Sequence, residues 1–93
     1  MVDMTKVDGR DSGKRVVLYA LSTCVWCKKT KALLEELGIN YEFVFVDLLE
    51  GSEREEAMEA VTALNPRCSF PTMSIDDRVI VGYKEAEIRE AVE

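Results

Sequence analysis

Ser22-Thr23-Cys24-Val25-Trp26-Cys27-Lys28-Lys29 is the stretch whose reading decides the fold. It holds two of the three cysteines, at Cys-x-x-Cys spacing. Immediately upstream, Val16-Val17-Leu18-Tyr19-Ala20 reads as a strand apolar on both faces, as expected of a central strand covered on both sides. Immediately downstream, Lys28 to Leu37 reads as a helix with Leu33, Leu34 and Leu37 facing inward below Thr30, closed by Gly38 as a C-terminal cap. The cysteine pair therefore falls where a strand turns into a helix. In a chain without histidine, such a pair beside a β-α-β pattern points to thiol–disulfide redox chemistry.

The chemistry follows from position. Free backbone N–H groups and the helix dipole favour negative charge at a helix start, and so favour the thiolate of Cys24. Two intervening residues place Cys27 within one turn of it, where its sulfur can attack a mixed disulfide at Cys24 and release the reduced partner. Cys24 is thus read as the attacking thiol and Cys27 as the resolving thiol. Other readings fare worse. A closed structural zinc site needs four ligands, and only one further cysteine and no histidine remain. A structural disulfide across so short a loop constrains little. Two core cysteines at this spacing by chance would not explain the strand and helix that flank them.

Composition bounds the rest. The chain has 93 residues, 47% of them hydrophobic, enough for one small domain with its own core. No apolar run is long enough to suggest a membrane span. Met1 to Arg15 lacks the apolar centre of a secretory leader, and three cysteines do not suggest a secreted disulfide scaffold. A cytoplasmic location is expected. The net charge of −6 argues against nucleic acid as the main partner. Lys28, Lys29 and Lys31 nevertheless cluster after the cysteines, and Arg67 precedes a second loop of interest, while acidic residues gather in 50–59 and 85–93. Either the active face is locally positive and steers an acidic partner, or these lysines are a solvated helix face.

In chain order, residues 1–15 read as a polar, flexible extension, with packing of part of it as an extra strand an alternative that nothing in the sequence demands, and 16–93 as the domain. Tyr41-Glu42-Phe43-Val44-Phe45-Val46-Asp47 reads as a strand, implying a right-handed parallel crossover from the first. Ser52-Glu53-Arg54-Glu55 reads as a capping box opening a helix, with Ala57, Met58, Val61 and Leu64 on its apolar face and Asn65-Pro66 ending it. Thr72 to Ile75 and Val79 to Val81 read as an antiparallel hairpin about Asp76-Asp77. Gly82 breaks the strand. A last helix is expected from about Lys84 to Val92, with Ile88 and Val92 inward.

Leu18-Tyr19, Thr23-Cys24-x-x-Cys27-Lys28, Phe70-Pro71 and Gly82, in this order, resemble the glutaredoxins over residues 16–93. The resemblance implies an α/β thioredoxin-like fold, β-α-β-α-β-β-α, with a mixed four-stranded sheet in the order 2-1-3-4 and helices on both faces. It implies a cis Phe70–Pro71 bond beside the cysteines, with the Phe70 backbone pairing strand-fashion with a partner peptide. It also implies a partner surface of Thr23, Val25, Trp26, Phe70, Pro71, Gly82 and Tyr83, no bound cofactor, no metal, and a redox-active disulfide between Cys24 and Cys27. Trp26 is read either as an exposed rim for docking or as packed on Tyr83 or Phe70.

Departures refine the expectation. Common glutaredoxins have Cys-Pro-Tyr-Cys, where this chain has Val25 and Trp26. They carry a glutathione-gripping lysine where this chain has Leu21, and a Gly-Gly pair with acidic residues where it has Gly82-Tyr83-Lys84-Glu85. Leu21, Val25 and Tyr83 look more like the glutaredoxin-like redoxins that serve ribonucleotide reductase, which are recharged by a thioredoxin-reductase-type flavoenzyme. The expected function is a monomeric, electron-carrying protein-disulfide reductase of that kind, working in cell redox homeostasis. The alternatives are a glutathione-dependent glutaredoxin and an iron–sulfur cluster carrier. Cys68 remains open between a second resolving thiol, a modification site, a third metal ligand and a semi-buried thiol with no role.

Overall fold

The computed structural model describes residues 4–92. Its elements are β1 (Thr5–Val7), β2 (Val16–Ala20), α1 (Val25–Glu36), β3 (Tyr41–Phe45), a 3-10 turn (Val46–Leu48), α2 (Gly51–Leu64), β4 (Thr72–Ile75), β5 (Arg78–Val81) and α3 (Glu85–Val92). β2 runs parallel to β3 and antiparallel to β4, and β4 runs antiparallel to β5. The mixed sheet and the parallel pairing of β2 with β3 are as expected.

The strand count is not. The sheet has five strands in the order β1-β3-β2-β4-β5, not four in the order 2-1-3-4. The extra edge strand comes from residues the sequence reading placed in the 1–15 extension. Thr5, Lys6 and Val7 pair antiparallel with Phe43, Glu42 and Tyr41. Beyond it, Arg10 bridges Ile39, its N–H donating to the Gly38 carbonyl at 2.7 Å and its carbonyl accepting from Asn40 at 3.0 Å. Gly9 permits this approach, because a Cβ there would meet the Ile39 carbonyl carbon at 2.5 Å. Three residues with one apolar side chain give no periodicity, so the edge strand exists through tertiary pairing. The described part of the fold therefore reaches upstream of the expected boundary at residue 16; residues 1–3 of the extension lie outside the described residues.

β2 shows why this chain makes two layers of helix. Val16, Leu18 and Ala20 alternate into a core with Leu33 and Leu34 of α1, Ile88 and Val92 of α3, Met73, Ile75 and Ile80. On the other face, Tyr19 joins Val44, Val46, Ala57 and Met58 beneath α2. Leu18 and Leu34 are fully buried, and truncating either to alanine would cost about 2–5 kcal/mol. Helices on both faces are as the sequence implied.

Three boundaries shift, two of them with consequences for the site. α1 starts at Val25, upstream of Lys28, because Cys24 itself is the N-cap. β3 ends at Phe45, and the 3-10 turn that follows carries Asp47. The expected capping box does not form. Gly51, at φ +59°, turns the chain into α2 before Ser52, which falls inside the first turn, and the N-cap Glu50 makes no side-chain capping bond. Gly38, at φ +68°, follows the end of α1 and its N–H donates to the Glu35 carbonyl at 3.0 Å, as expected of a glycine cap.

Candidate active site

The central strand β2 delivers the chain to its carboxyl end, where Leu21 to Thr23 make the turn into α1. Cys24 sits in an extended conformation at the N-cap, and its Sγ accepts the Cys27 N–H at 3.2 Å. A sulfur thus takes the place of the capping oxygen that serine or aspartate usually supplies. Cys24 is partly exposed, whereas Cys27 is only 1% exposed and belongs to the core. All three cysteines are free thiols.

Leu21 binds both members of the pair through its backbone. Its carbonyl accepts the Cys24 N–H at 3.2 Å, and its N–H points at Cys27 Sγ at 3.5 Å. Burial pushes the Cys27 thiol up to about 12, its hydrogen bond with Cys24 adds to this, the Leu21 N–H opposes it, and the nearby Cys24 and Asp47 charges raise it further.

The second loop meets the first as the resemblance implied. The Phe70–Pro71 bond is cis. Pro71 is fully buried and its carbonyl accepts the Gly82 N–H at 2.8 Å, with Gly82 at φ +85°. Trp26, Phe70, Pro71, Gly82 and Tyr83 line one open cleft of about 290 Å³. Five of the expected partner-contacting residues are thereby brought together. Val25 is 63% exposed on the first turn of α1, and Thr23 is exposed beside Cys24. Neither this cleft nor a larger groove between α2 and the sheet, lined by Tyr19, Ala60 and Leu64, has a cysteine in its lining; the smaller cleft is joined to the pair by Trp26, which lies between Cys24 and Cys27 in the chain.

Of the lysines after the pair, Lys28 and Lys29 are exposed, and the Lys29 ammonium lies 4.7 Å from the Trp26 ring centroid. Lys31 instead reaches Glu35 at 3.4 Å and the Phe43 ring at 4.8 Å, so it belongs to the helix face. Cys68, at φ +53°, places its Sγ 2.7 Å from Thr62 Oγ1. That hydroxyl already donates to the Met58 carbonyl, so the Cys68 thiol is the donor. No group of three or more metal-ligating side chains occurs among the described residues.

Sequence reasoning missed Ser22 and Asp47. The Asp47 carboxylate accepts the Ser22 N–H at 2.8 Å and the Ser22 hydroxyl at 2.5 Å. No local signal in the sequence marks this contact, which arises from the parallel pairing of β2 and β3, whose register ends with Ala20 opposite Phe45.

Comparison with known proteins decides the family. The glutaredoxin family profile matches residues 16–80. The chain belongs to the glutaredoxin family. Like other glutaredoxins, it is a thiol–disulfide oxidoreductase with a thioredoxin-like fold, and the Cys24–Cys27 pair fits a dithiol redoxin. This glutaredoxin is similar to the methanoredoxin of Methanosarcina acetivorans, with 51% identity over 99% of this chain and 98% of that one and a TM-score of 0.94. It is 35% identical to the glutaredoxin-like 8.6 kDa protein of the rubredoxin operon of Clostridium pasteurianum, over 84% of this chain and 97% of that protein. The NrdH-redoxin of Escherichia coli, a glutaredoxin-like protein with a thioredoxin-like activity profile, is 29% identical over 82% of this chain and 92% of that one, with a TM-score of 0.68. No helix among the described residues is long and apolar enough to cross a membrane.

Proposed function

We propose that this glutaredoxin is a dithiol electron carrier that reduces protein disulfides through Cys24 and is recharged by a thioredoxin-reductase-type flavoenzyme, with a disulfide such as that of ribonucleotide reductase as a target. The observation that carries the reading is the asymmetry of the pair. Cys24 is accessible and capped by the Cys27 N–H, while Cys27 is buried with its sulfur facing the segment that precedes Cys24.

The steps balance without a bound cofactor. The Cys24 thiolate attacks one sulfur of the partner disulfide. The partner's S–S bond breaks, a mixed disulfide forms, and one partner thiolate leaves and takes a proton from solvent. Cys27 then loses its proton to solvent and attacks Cys24 Sγ, closing the Cys24–Cys27 disulfide and releasing the second partner thiolate. The partner gains two electrons and the pair loses two, which a reductase returns. The extended partner segment would lie along the Phe70 backbone, over the cleft walled by Trp26 and Tyr83.

Two features favour a flavoenzyme donor over glutathione. Leu21 offers no cation at the position where common glutaredoxins grip a glutathione carboxylate, and Tyr83 stacks on Trp26 where they have an open Gly-Gly turn. The likeness to a redoxin with a thioredoxin-like activity profile supports the same choice. The test is reduction of a model protein disulfide, coupled in parallel to glutathione with its reductase and to a thioredoxin-type reductase. Turnover with the flavoenzyme alone is expected, and turnover with glutathione alone overturns the donor assignment. Cys24→Ser is expected to abolish turnover, and Cys27→Ser to trap the partner on Cys24.

A further inference from the structure

We propose that Asp47 is a positioning residue for the thiol pair: its carboxylate fixes the Leu21–Ser22 segment, whose backbone contacts both cysteines, and sets a negative charge on the segment that meets the resolving thiol. The inference rests on the reading of Cys24 as attacker and Cys27 as resolver.

The geometry runs in one line. Asp47, on the 3-10 turn after β3, holds Ser22 by two bonds, to its N–H at 2.8 Å and to its hydroxyl at 2.5 Å. Leu21, one residue earlier, meets both cysteines through its backbone. Leu21 gives its N–H to Cys27 Sγ at 3.5 Å, and its carbonyl takes the Cys24 N–H at 3.2 Å. Cys24 Sγ in turn accepts from Cys27 N–H. A shift of the Leu21–Ser22 segment would therefore move both the N–H that meets Cys27 Sγ and the carbonyl that anchors the Cys24 backbone, and Asp47 holds that segment through Ser22.

The Asp47 charge also bears on Cys27. Hydrogen bonds from the Ser22 hydroxyl and N–H hold the Asp47 carboxyl below the usual carboxylate range, and the Arg54 guanidinium of α2 acts in the same direction. An acid so weakly basic stays ionised and is a poor acceptor for a thiol proton. The titratable groups bearing on Cys27 are Cys24 on its own helix and Asp47 on the turn, and both disfavour its thiolate. Once Cys24 is tied in a mixed disulfide its share disappears, while that of Asp47 persists through the resolving step. Asp47 thus adds to the burial that holds down the Cys27 thiolate during resolution.

The test isolates that step. In a Cys68→Ser background, Cys24 is loaded with the chromophoric thiol of a dithiobis-nitrobenzoate reagent, and its release by Cys27 is followed by stopped flow across pH. Asp47→Asn keeps an acceptor for the Ser22 N–H and removes the charge. Its release profile is expected to move to lower pH, with release at neutral pH about threefold faster per unit moved, since tenfold more thiolate is partly offset by lower nucleophilicity. Asp47→Ala removes the clamp as well, and release is expected to be slower than in Asp47→Asn. Ser22→Ala keeps the charge and loosens the clamp, so its release should slow without a displaced profile. An Asp47→Asn profile superimposable on the parent overturns the electrostatic role, and an alanine variant as fast as the asparagine one overturns the positioning role. Cys27→Ser in the same assay separates the two levels. If it releases the chromophore like the parent, the resolver assignment itself has failed.

Discussion

The Trp26 indole and the Tyr83 phenol stack with ring centroids 6.0 Å apart and planes 27° from parallel. Trp26 nonetheless stays 55% exposed. An exposed docking rim and packing on Tyr83 stood as alternatives in the sequence, and the structure shows the indole exposed and stacked on Tyr83 at once. The stack is braced from behind. Tyr83 donates its hydroxyl to Glu85 at 3.2 Å, Glu85 accepts from Arg89 at 2.9 Å, and Arg89 reaches Glu36 of α1 at 3.0 Å. One wall of the thiol cleft is thus tied to α3 and back to the end of α1.

The first prediction concerns that wall. Tyr83→Ala would remove an aromatic pair worth about 0.5–1.5 kcal/mol beyond its area. Trp26 emission is expected to shift to the red, and KM for a protein disulfide to rise severalfold with kcat little changed. Tyr83→Phe keeps the rings and should behave like the parent. An alanine variant indistinguishable from the phenylalanine one in KM would show that the stacked pair does not contact partners.

The second prediction concerns pH. In the folded dithiol form Cys27 is raised to about 12 from an ordinary value of 9.0, chiefly by burial. Between those values the folded chain holds a proton that the unfolded chain has released. Stability therefore falls as pH rises through that window, and none of this contribution is lost below it. Tyr19 and Tyr41 are also raised by burial and add to the same alkaline loss. Cys27→Ala removes one titrating group and leaves the tyrosines. Its Tm is expected to fall less steeply than that of the reduced parent above pH 9. Parallel Tm–pH curves would mean that burial of Cys27 does not discriminate against its thiolate.

The third prediction tests the fifth strand. Gly9→Ala would drive a Cβ to within 2.7 Å of three backbone atoms of Gly38 and Ile39, none of which can swing aside like a side-chain end. The Arg10–Ile39 bridge should open and loosen β1 from Tyr41 to Phe43. A loss of about 1–3 kcal/mol in urea unfolding is expected, with faster amide exchange confined to β1 and β3. An unchanged midpoint would mean that the edge strand contributes nothing to the fold.

These tests divide along a line that physics explains. β2, α1 and the β4–β5 hairpin were legible because each carries its own periodicity and punctuation: Leu33 and Leu34 at helical spacing from Thr30, Gly38 at φ +68°, and Asp76 at φ +52° in the turn. The thiol pair was legible because its spacing and its neighbours encode one chemistry. β1 was not, since Thr5 and Lys6 are exposed and what holds them is the partner strand. Nor was the Asp47–Ser22 contact, which joins residues 25 positions apart and exists only once β2 and β3 are in register. The capping box misled because a local motif at Ser52 was outweighed by the turn that Gly51 makes one residue earlier.

The last prediction concerns how Phe70 and Pro71 are held in place. Asn65, 5% exposed at the end of α2, does most of this. Its Nδ2 donates to Ser69 Oγ at 2.9 Å, to the Ser69 carbonyl at 3.3 Å and to Thr72 Oγ1 at 3.2 Å, while its Oδ1 accepts the Arg67 N–H at 3.2 Å. One amide therefore ties both ends of the loop that presents Phe70–Pro71 to the thiols. Asn65→Ala leaves those groups to re-pair or stay buried unpaired, at a cost of about 1–3 kcal/mol. Asn65→Asp is the sharper variant, since its carboxylate matches the shape but faces the Ser69 carbonyl without a proton to give. Both are expected to lower kcat/KM for a protein disulfide by about tenfold or more, because a small displacement of a positioning loop is costly. Reactivity of Cys24 towards a small alkylating agent should change little, since that thiol is held by α1. Loss of stability with kcat/KM intact would show that Phe70 and Pro71 keep their place without Asn65.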